Sequence, residues 1–532
     1  MRGKYGMGIY LNPGNNAFAR IINSGYVDKT GLIDLINESI GTTRNLTCIS
    51  RPRRFGKSYA TQMLCAYYDR TCDSHTLFGR YTIAADRTYE EHINKYHVIN
   101  LDITGFISEM RKTGESLRDL PMRISVALQN EIRRVCPDIN EAENLNDSLI
   151  RLVNDTGTKI VFIIDEWDAV IREAYEDEEA QERYLNLLRG WFKNNNFTPQ
   201  VIAAGYMTGI LPIKKDGTQS AISDFREYTM IKPRKFGEYV GFTENEVKDI
   251  CGKHSISFNS MKQWYDGYDF KGVGSVYNPN SVMQAVDNDD FDSYWTETSA
   301  AEGLMEYISK PYGGIAKIMA ELIGGVDVKV DTRGFANDLT TFRGEDDVLT
   351  LMIHLGYLAY DSEKGVARIP NEEIRREFQK SVRKVEHKAT TRRLAESDQL
   401  FLDTIQGDEE AVAAQIEKIH SEETSPIHYN REDSLRSVIK LAYYTYKDHY
   451  IQWEELPSGE GYADIAYLPK KDSGWPTLII ELKWNESAQG AIDQIRNKRY
   501  PEKLQDYGSD LLLVGINYNK KDKKHFCRIE RI

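Results

Sequence analysis

The run KIVFIIDEWD (Lys159–Asp168) sets five consecutive apolar residues, Ile160–Ile164, directly before two carboxylates. An uninterrupted apolar run of that length marks a strand buried on both faces, which means the middle of a parallel sheet covered by helices. Leu46–Ser50, His97–Ile103 and Val201–Met207 read as companion strands, and helical segments separate them. The first 235 residues are therefore expected to form an α/β core with helices on both faces of the sheet.

The strand Leu46–Ser50 runs into RPRRFGKS (Arg51–Ser58), which opens a helical pattern through Met63, Leu64 and Tyr67. Gly-Lys-Ser between a strand and a helix is the second half of a P-loop. Backbone N–H groups of such a turn and the positive end of the helix hold phosphate oxygens. Gly56 lets the backbone approach closely, Lys57 reaches the β- and γ-phosphates, and Ser58 Oγ ligates Mg²⁺. The full pattern has Gly where this chain has Arg51. About 107 residues after Ser58, the Lys159–Asp168 run supplies a Walker B pattern. Asp165 is expected to hold Mg²⁺ through water, and Glu166 to polarise the attacking water. The competing reading of this pair is a solvated strand end. Thr208, at the tip of the strand Val201–Met207, either senses the γ-phosphate or caps a turn. Arg51 and Arg54, with Arg53, either help hold phosphate or form a solvated basic turn.

From about Pro233 the strand character fades. Residues 236–345 read as short helices broken by Gly and Asn-Pro, a helical lid. Residues 346–395 carry an apolar helix (DVLTLMIHLGYLAY), a short strand at Val366–Ile369 and a further helix, the outline of a winged-helix module. Residues 396–425 read as a helical linker. From 426 to 532 the order is αβββαβ, a separate domain.

That last domain carries a second constellation. Asp464 lies on one expected strand, in GYAD, and Glu481, Leu482 and Lys483 lie on the next, in IIELKW. Glu481 and Lys483 are two apart on a strand, so both point to one face. Leu482 points into the core, while its carbonyl remains available to a cation. Asp464 and Glu481 together suit a hard divalent ion, Mg²⁺ or Mn²⁺, and Lys483 beside it can orient hydroxide or stabilise negative charge. The competing reading is an exposed Lys–Glu pair, but charges that interrupt a run such as TLIIELKW cost several kcal/mol unless paired or ligating. Glu432, near the start of the preceding helix, is either a further candidate carboxylate, with Asp433 competing for the role, or an N-terminal helix charge favoured by the dipole. Gln494 and Tyr500 are candidates for contacting the substrate backbone.

Charge bears on the partner. The net charge of −13 argues against coating nucleic acid through bulk electrostatics. Residues 421–532, however, hold 17 Lys and Arg against 18 Asp and Glu, so the acidity lies mostly upstream. Basic residues from Arg496 to Lys524 flank the candidate site. Six Cys without a C-x-x-C pair point to reduced thiols rather than a disulfide framework or zinc site. No apolar run approaches the length of a membrane span, and MRGKYGMGIYLNPGNN shows no sustained apolar stretch followed by a cleavage site. A cytoplasmic protein without membrane association is expected.

Both constellations resemble those of the bacterial AAA-ATPase-like family that carries a C-terminal PD-(D/E)XK nuclease-superfamily domain. The resemblance rests on YVDKTGLI (Tyr26–Ile33), SRPRRFGKS, IIDEWD, YMTGILPIK (Tyr206–Lys214), WYDGY (Trp264–Tyr268), YNPNSV (Tyr277–Val282), IKLAYY (Ile439–Tyr444), GYADIAYLP, IIELKWN and AIDQI (Ala491–Ile495). It implies an AAA-like P-loop core and a restriction-endonuclease-like domain behind it. It also implies that Arg51 in place of the first Gly is shared by the family. Residue by residue it gives Lys57 and Ser58 the Walker A roles, Asp165 and Glu166 the Walker B roles, and Asp464, Glu481 and Lys483 the nuclease roles, with Glu432 as the helix carboxylate. The expected activity is ATP binding and hydrolysis coupled to a metal-dependent phosphodiesterase. The expected partner is nucleic acid, DNA ahead of RNA, and the family also admits a homo-oligomer. The alternative is a nucleotide-switched sensor or scaffold whose last domain binds nucleic acid or protein without cleaving it.

Overall fold

The computed structural model describes residues 8–532 apart from 136–141, 214, 217–218, 221, 223, 296–314, 338, 340–341, 385–387, 424–438, 440–441, 444–449, 459–460, 470–474 and 498–509; for some further residues, Asp464 among them, it describes the backbone alone. The chain divides into two compact units, residues 1–300 with 329–376, and residues 301–328 with 377–532.

The first unit is built on a five-stranded sheet. Its strands are β1 (Leu46–Ser50), β2 (His97–Asp102), β3 (Ile160–Asp165), β4 (Ile202–Gly209) and β5 (Arg226–Tyr228), in the order β2-β3-β4-β1-β5. Every pairing is parallel. Every residue of β1, β3 and β4 is buried, as an apolar run covered on both faces requires. Four of the strands fall where the sequence places them. β5 was not expected: it is three residues long, REY, with too few apolar positions to register as a strand.

This order positions the site. β1 and β3 pair with opposite sides of β4, so their carboxyl ends lie at one edge of the sheet, two strand spacings or roughly 10 Å apart. The turn after β1 leads into helix α1 (Lys57–Tyr68). The tip of β4, with Thr208 and Gly209, lies between the two.

After the sheet come helices Glu244–His254, Phe258–Tyr265 and Pro279–Asn288, packed around Val247, Met261, Tyr277 and Val282. Thr243 and Glu246 form a reciprocal capping box at the start of the first. The segment expected to hold short broken helices also holds a small antiparallel sheet of Phe242–Thr243, Gly274–Tyr277 and Tyr268–Phe270. Strands of two to four residues are too short for periodicity to reveal. Helix Glu345–Leu355, the hairpin of Ala359–Asp361 with Val366–Arg368, and helix Glu372–Lys384 follow.

The second unit holds another five-stranded sheet: β6 (Tyr450–Ser458), β7 (Gly461–Pro469), β8 (Thr477–Trp484), β9 (Leu511–Asn519) and β10 (Lys524–Arg531), side by side in that order. Only β8 and β9 pair in parallel, and helix α2 (Ala488–Asn497) makes the crossover between them. A Cβ on Gly515 of β9 would meet the Ala488 carbonyl oxygen at 2.3 Å, so glycine there lets α2 settle on the sheet. On the α2 face Ile479, Leu513, Ile492 and Ile495 form one core. On the opposite face Ile480, Leu482, Val514 and Ile516 pack with Leu400, Val412, Ile416 and Tyr443. The expected αβββαβ order lacks β10. Its sequence, KHFCRIER, alternates on an edge strand and carries little apolar signal. Of the expected helix before β6, only Ile439, Ala442 and Tyr443 lie among the described residues, all three buried.

Candidate functional site

The turn between β1 and α1 uses two left-handed residues, Arg54 (φ 68) and Gly56 (φ 89), to bring the chain around into the helix. Gly56 is the residue before the first helical turn, and any side chain there would be strained. Lys57 is buried; its Nζ donates to the carbonyl oxygens of Arg51 (3.1 Å) and Pro52 (3.0 Å) and lies 3.1 Å from Glu166 Oε1.

Asp165 ends β3. Its Oδ1 accepts hydrogen bonds from the Glu166 N–H (3.1 Å) and from the Thr208 hydroxyl, and Ser58 also hydrogen-bonds to it. Burial pushes the Asp165 carboxyl up from its ordinary range, and the Ser58 and Thr208 hydroxyls oppose this. Glu166 takes a left-handed conformation (φ 52) that turns its side chain to Lys57 on one side and Arg172 on the other, where Arg172 Nη2 lies 2.5 Å from Oε2. Burial raises the Glu166 carboxyl, but the Lys57 and Arg172 cations outweigh it and leave the group below its ordinary value, hence ionised.

Lys57, Ser58, Gly56, Arg53, Arg54 and Glu166 line one end of a cavity of about 620 Å³. Val27, Met63, Phe242, Pro279 and Met283 add apolar lining, beside the polar Lys29, Asn280, Gln284 and Asp287. This volume lies within the range of small-molecule sites. The YVDKTGLI segment builds part of that lining. Asp28 accepts from the backbone N–H and hydroxyl of both Thr30 and Thr82, and Lys29 Nζ donates to both Glu246 carboxylate oxygens (2.7 and 2.6 Å).

Arg51 is placed differently from the phosphate contact considered for it. Its side chain is fully buried, donates to the carbonyl oxygens of Ser50 (2.9 Å) and Tyr228 (3.3 Å), and stacks on Phe270 with its guanidinium carbon 4.9 Å from the ring centre. Burial lowers its pKa to about 9. It does not line the cavity; Arg54 does, and also donates to the Tyr294 carbonyl oxygen at 3.4 Å. Thr208 does not line the cavity either and acts on Asp165.

Two residues the sequence reading did not single out hold this edge together. Asp168 is fully buried; its Oδ2 accepts from the backbone N–H of Ile210 (3.0 Å) and Leu211 (2.8 Å) and from Arg172 Nε (3.1 Å). Arg172 thus ties Asp168 and Glu166 together. Their spacing, Asp168 to Arg172 at i and i+4 on a helix, was the available signal.

In the second unit, Glu481 and Lys483 lie on the α2 face of β8. Gln494 of α2 reaches both: its amide nitrogen donates to Glu481 Oε1, and its amide oxygen accepts from Lys483 Nζ. Glu481 is buried and Lys483 nearly so. Leu482 faces the opposite core. β7 is the neighbour of β8, and their pairing runs to Ile465 with Ile480, each one residue from positions 464 and 481. Glu432 and Tyr500 lie outside the described residues. Among the described residues no group of three or more His, Cys, Asp and Glu is placed to hold a metal ion. A buried carboxylate beside a lysine fits the oxygen donors that a hard cation takes.

Two family models match separate segments of the chain. Residues 13–219 match the AAA-ATPase-like family described as "Predicted AAA-ATPase". Residues 430–526 match the PD-(D/E)XK nuclease superfamily. An uncharacterised protein in the vnfD 5′ region of Azotobacter chroococcum mcd 1 is 23% identical over 309 residues, a match spanning 56% of this chain and 56% of that protein. Among solved structures, the Aeropyrum pernix ORC2 protein in ADPNP–ADP complexes aligns over 68% of this chain and 96% of its own, with 12% identity and a TM-score of 0.30. Among the described residues no helix is long and apolar enough to cross a membrane.

Proposed function

We propose that this chain, which carries an AAA-ATPase-like segment and a PD-(D/E)XK segment, binds and hydrolyses ATP and cleaves nucleic acid phosphodiester bonds at a metal-dependent site under nucleotide control. The observation that carries the reading is the Glu481–Gln494–Lys483 chain: two opposite charges on one sheet face, each held by the same amide, with Glu481 buried and Lys483 nearly so. Such a pair is costly for a purely structural role.

In the first unit Lys57 and the N–H groups of the α1 turn would hold the phosphates, and the apolar lining would cover the base. Ser58 and Asp165 would hold Mg²⁺, which supplies charge neutralisation when bound. Glu166 would orient and deprotonate water once Lys57 turns to phosphate. In the second unit Glu481, with Asp464, would hold Mg²⁺ or Mn²⁺, which supplies Lewis-acid stabilisation when bound. Lys483 would stabilise charge developing on the phosphate, and Gln494 would fix the geometry of both.

The test is a cleavage assay on single-stranded, double-stranded and structured DNA and RNA, with Mg²⁺ or Mn²⁺, with and without ATP. Cleavage that responds to ATP in the wild type and loses that response in Lys57→Ala supports coupling. Cleavage indifferent to ATP in both contradicts it.

A further inference from the structure

The sheet of the second unit carries an open surface beside Glu481 and Lys483. Lys483 pairs with Asn517 of β9, and Asn517 pairs with Phe526 of β10, so the three form one row across adjacent strands. Gln494 reaches Lys483 from α2, and the flanking residues Ile516, Tyr518 and Cys527 belong to the opposite core. The row therefore lies on the α2 face. Two strand spacings put the Phe526 backbone about 10 Å from that of Lys483. Helix α2 covers only the other half of β10, where Arg496 and Gln489 reach Glu530. Phe526 is left 47% exposed.

Beside Phe526 is the turn from β9 to β10. Lys520, Lys521, Lys523 and Lys524 are all exposed, and among the described residues none of them makes an ion pair. The turn is ordered nonetheless. Asn485, directly after β8, accepts from the Lys520 N–H (2.7 Å), and Asn519 accepts from the Lys521 N–H (2.9 Å). Lys523 takes a left-handed conformation (φ 55), where glycine or asparagine would cost less. Protection of an edge strand from aggregation accounts for Lys524 on β10. It does not account for an exposed aromatic ring in line with Lys483.

We propose that Phe526 and the lysine turn Lys520–Lys524 form a docking strip for single-stranded nucleic acid, delivering a phosphodiester to Glu481 and Lys483. The proposal rests on the reading of that pair as a nuclease site. A base stacks on Phe526 while the ammonium groups meet the adjoining phosphates, the combination by which single strands are held without sequence preference.

The test is fluorescence anisotropy of a labelled oligothymidylate with the full chain in EDTA, titrated over salt. Replacing all four turn lysines by Gln should weaken binding and flatten the slope of log affinity against log salt by up to roughly 3, at about 0.7 for each phosphate no longer neutralised. Phe526→Ala should weaken binding about ten-fold with the slope unchanged, and Phe526→Trp should restore it. Wild-type affinity and slope in both the lysine and Phe526→Ala variants overturn the proposal. So does a duplex that depends on Phe526 as strongly as the single strand. Binding with the expected dependence but no cleavage with Mg²⁺ or Mn²⁺ supports the strip and removes the nuclease reading. Wild-type cleavage with unaffected binding and cleavage in the strip variants removes the strip alone.

Discussion

Lys57 Nζ and Glu166 Oε1 lie 3.1 Å apart, at the end of a cavity lined by both residues. The ammonium assigned to a terminal phosphate is thus engaged by the carboxylate assigned to water. On the proposed function, a triphosphate entering the cavity would compete for Lys57 and so release one arm of Glu166.

Lys57→Ala should therefore lower ATP affinity by at least ten-fold, since hydrogen bonds to charged groups contribute about 1.5–3 kcal/mol. Titration with a fluorescent ATP analogue checks this. Unchanged affinity would count against the phosphate-binding turn.

Glu166→Gln should separate binding from chemistry. Hydrolysis should fall by about 10²-fold or more, the usual contribution of a positioned base. Affinity should hold or tighten, because the competitor for Lys57 is neutral. Phosphate-release rates and the same titration measure the two effects independently.

Arg172→Ala leaves Asp168 buried without its cationic partner, although the Ile210 and Leu211 N–H groups still reach it. Breaking a buried pair in this way costs about 3 kcal/mol. The urea midpoint should drop accordingly. Gly209→Ala should also destabilise, by about 1–3 kcal/mol. Its Cβ would meet Trp167 Nε1 at 2.7 Å and Asp168 Oδ1 at 2.8 Å.

Much of this edge is visible in the sequence because burial on both faces writes continuous apolar runs. Ile160–Ile164 and Leu46–Ser50 announce β3 and β1, and the residues after them announce the site. Residues whose roles depend on direction are not visible in this way. Arg51 sits in a basic cluster, yet its backbone continues the pairing of β1 with β4, its N–H donating to the Gly209 carbonyl oxygen at 3.0 Å. Its side chain stacks on Phe270, over 200 residues away in sequence. The sequence marks Gln494 as a contact for the substrate backbone, but its bonds to Glu481 and Lys483 are not legible there; they depend on how α2 packs against Gly515. β5 and β10 are edge strands with little apolar content and leave no run to read.

The second unit should lose stability as pH falls. His525 is buried against Tyr518, with its Nε2 2.8 Å from His420 Nδ1 and its Nδ1 3.8 Å from Glu417 Oε2. Burial, with the neighbouring His420, lowers its pKa to about 3. The unfolded chain binds this proton near pH 6.5 and the folded chain does not, so stability is complete above that value and declines between pH 6.5 and pH 3. The expected loss from pH 7 to pH 5 is about 2 kcal/mol. Urea midpoints at the two values measure it. His525→Gln should show a smaller pH difference than the wild type, and an equal one would refute the assignment.

The central claim concerns Glu481 and Lys483, and metal-dependent cleavage tests it most directly. Purified full-length protein is incubated with labelled single-stranded DNA and RNA in Mg²⁺ or Mn²⁺, beside Glu481→Ala and Lys483→Ala. The account predicts cleavage by the wild type that EDTA abolishes and that each substitution reduces by at least about 10²-fold. Cleavage retained in both variants, or absent from the wild type with every substrate and metal, would contradict it.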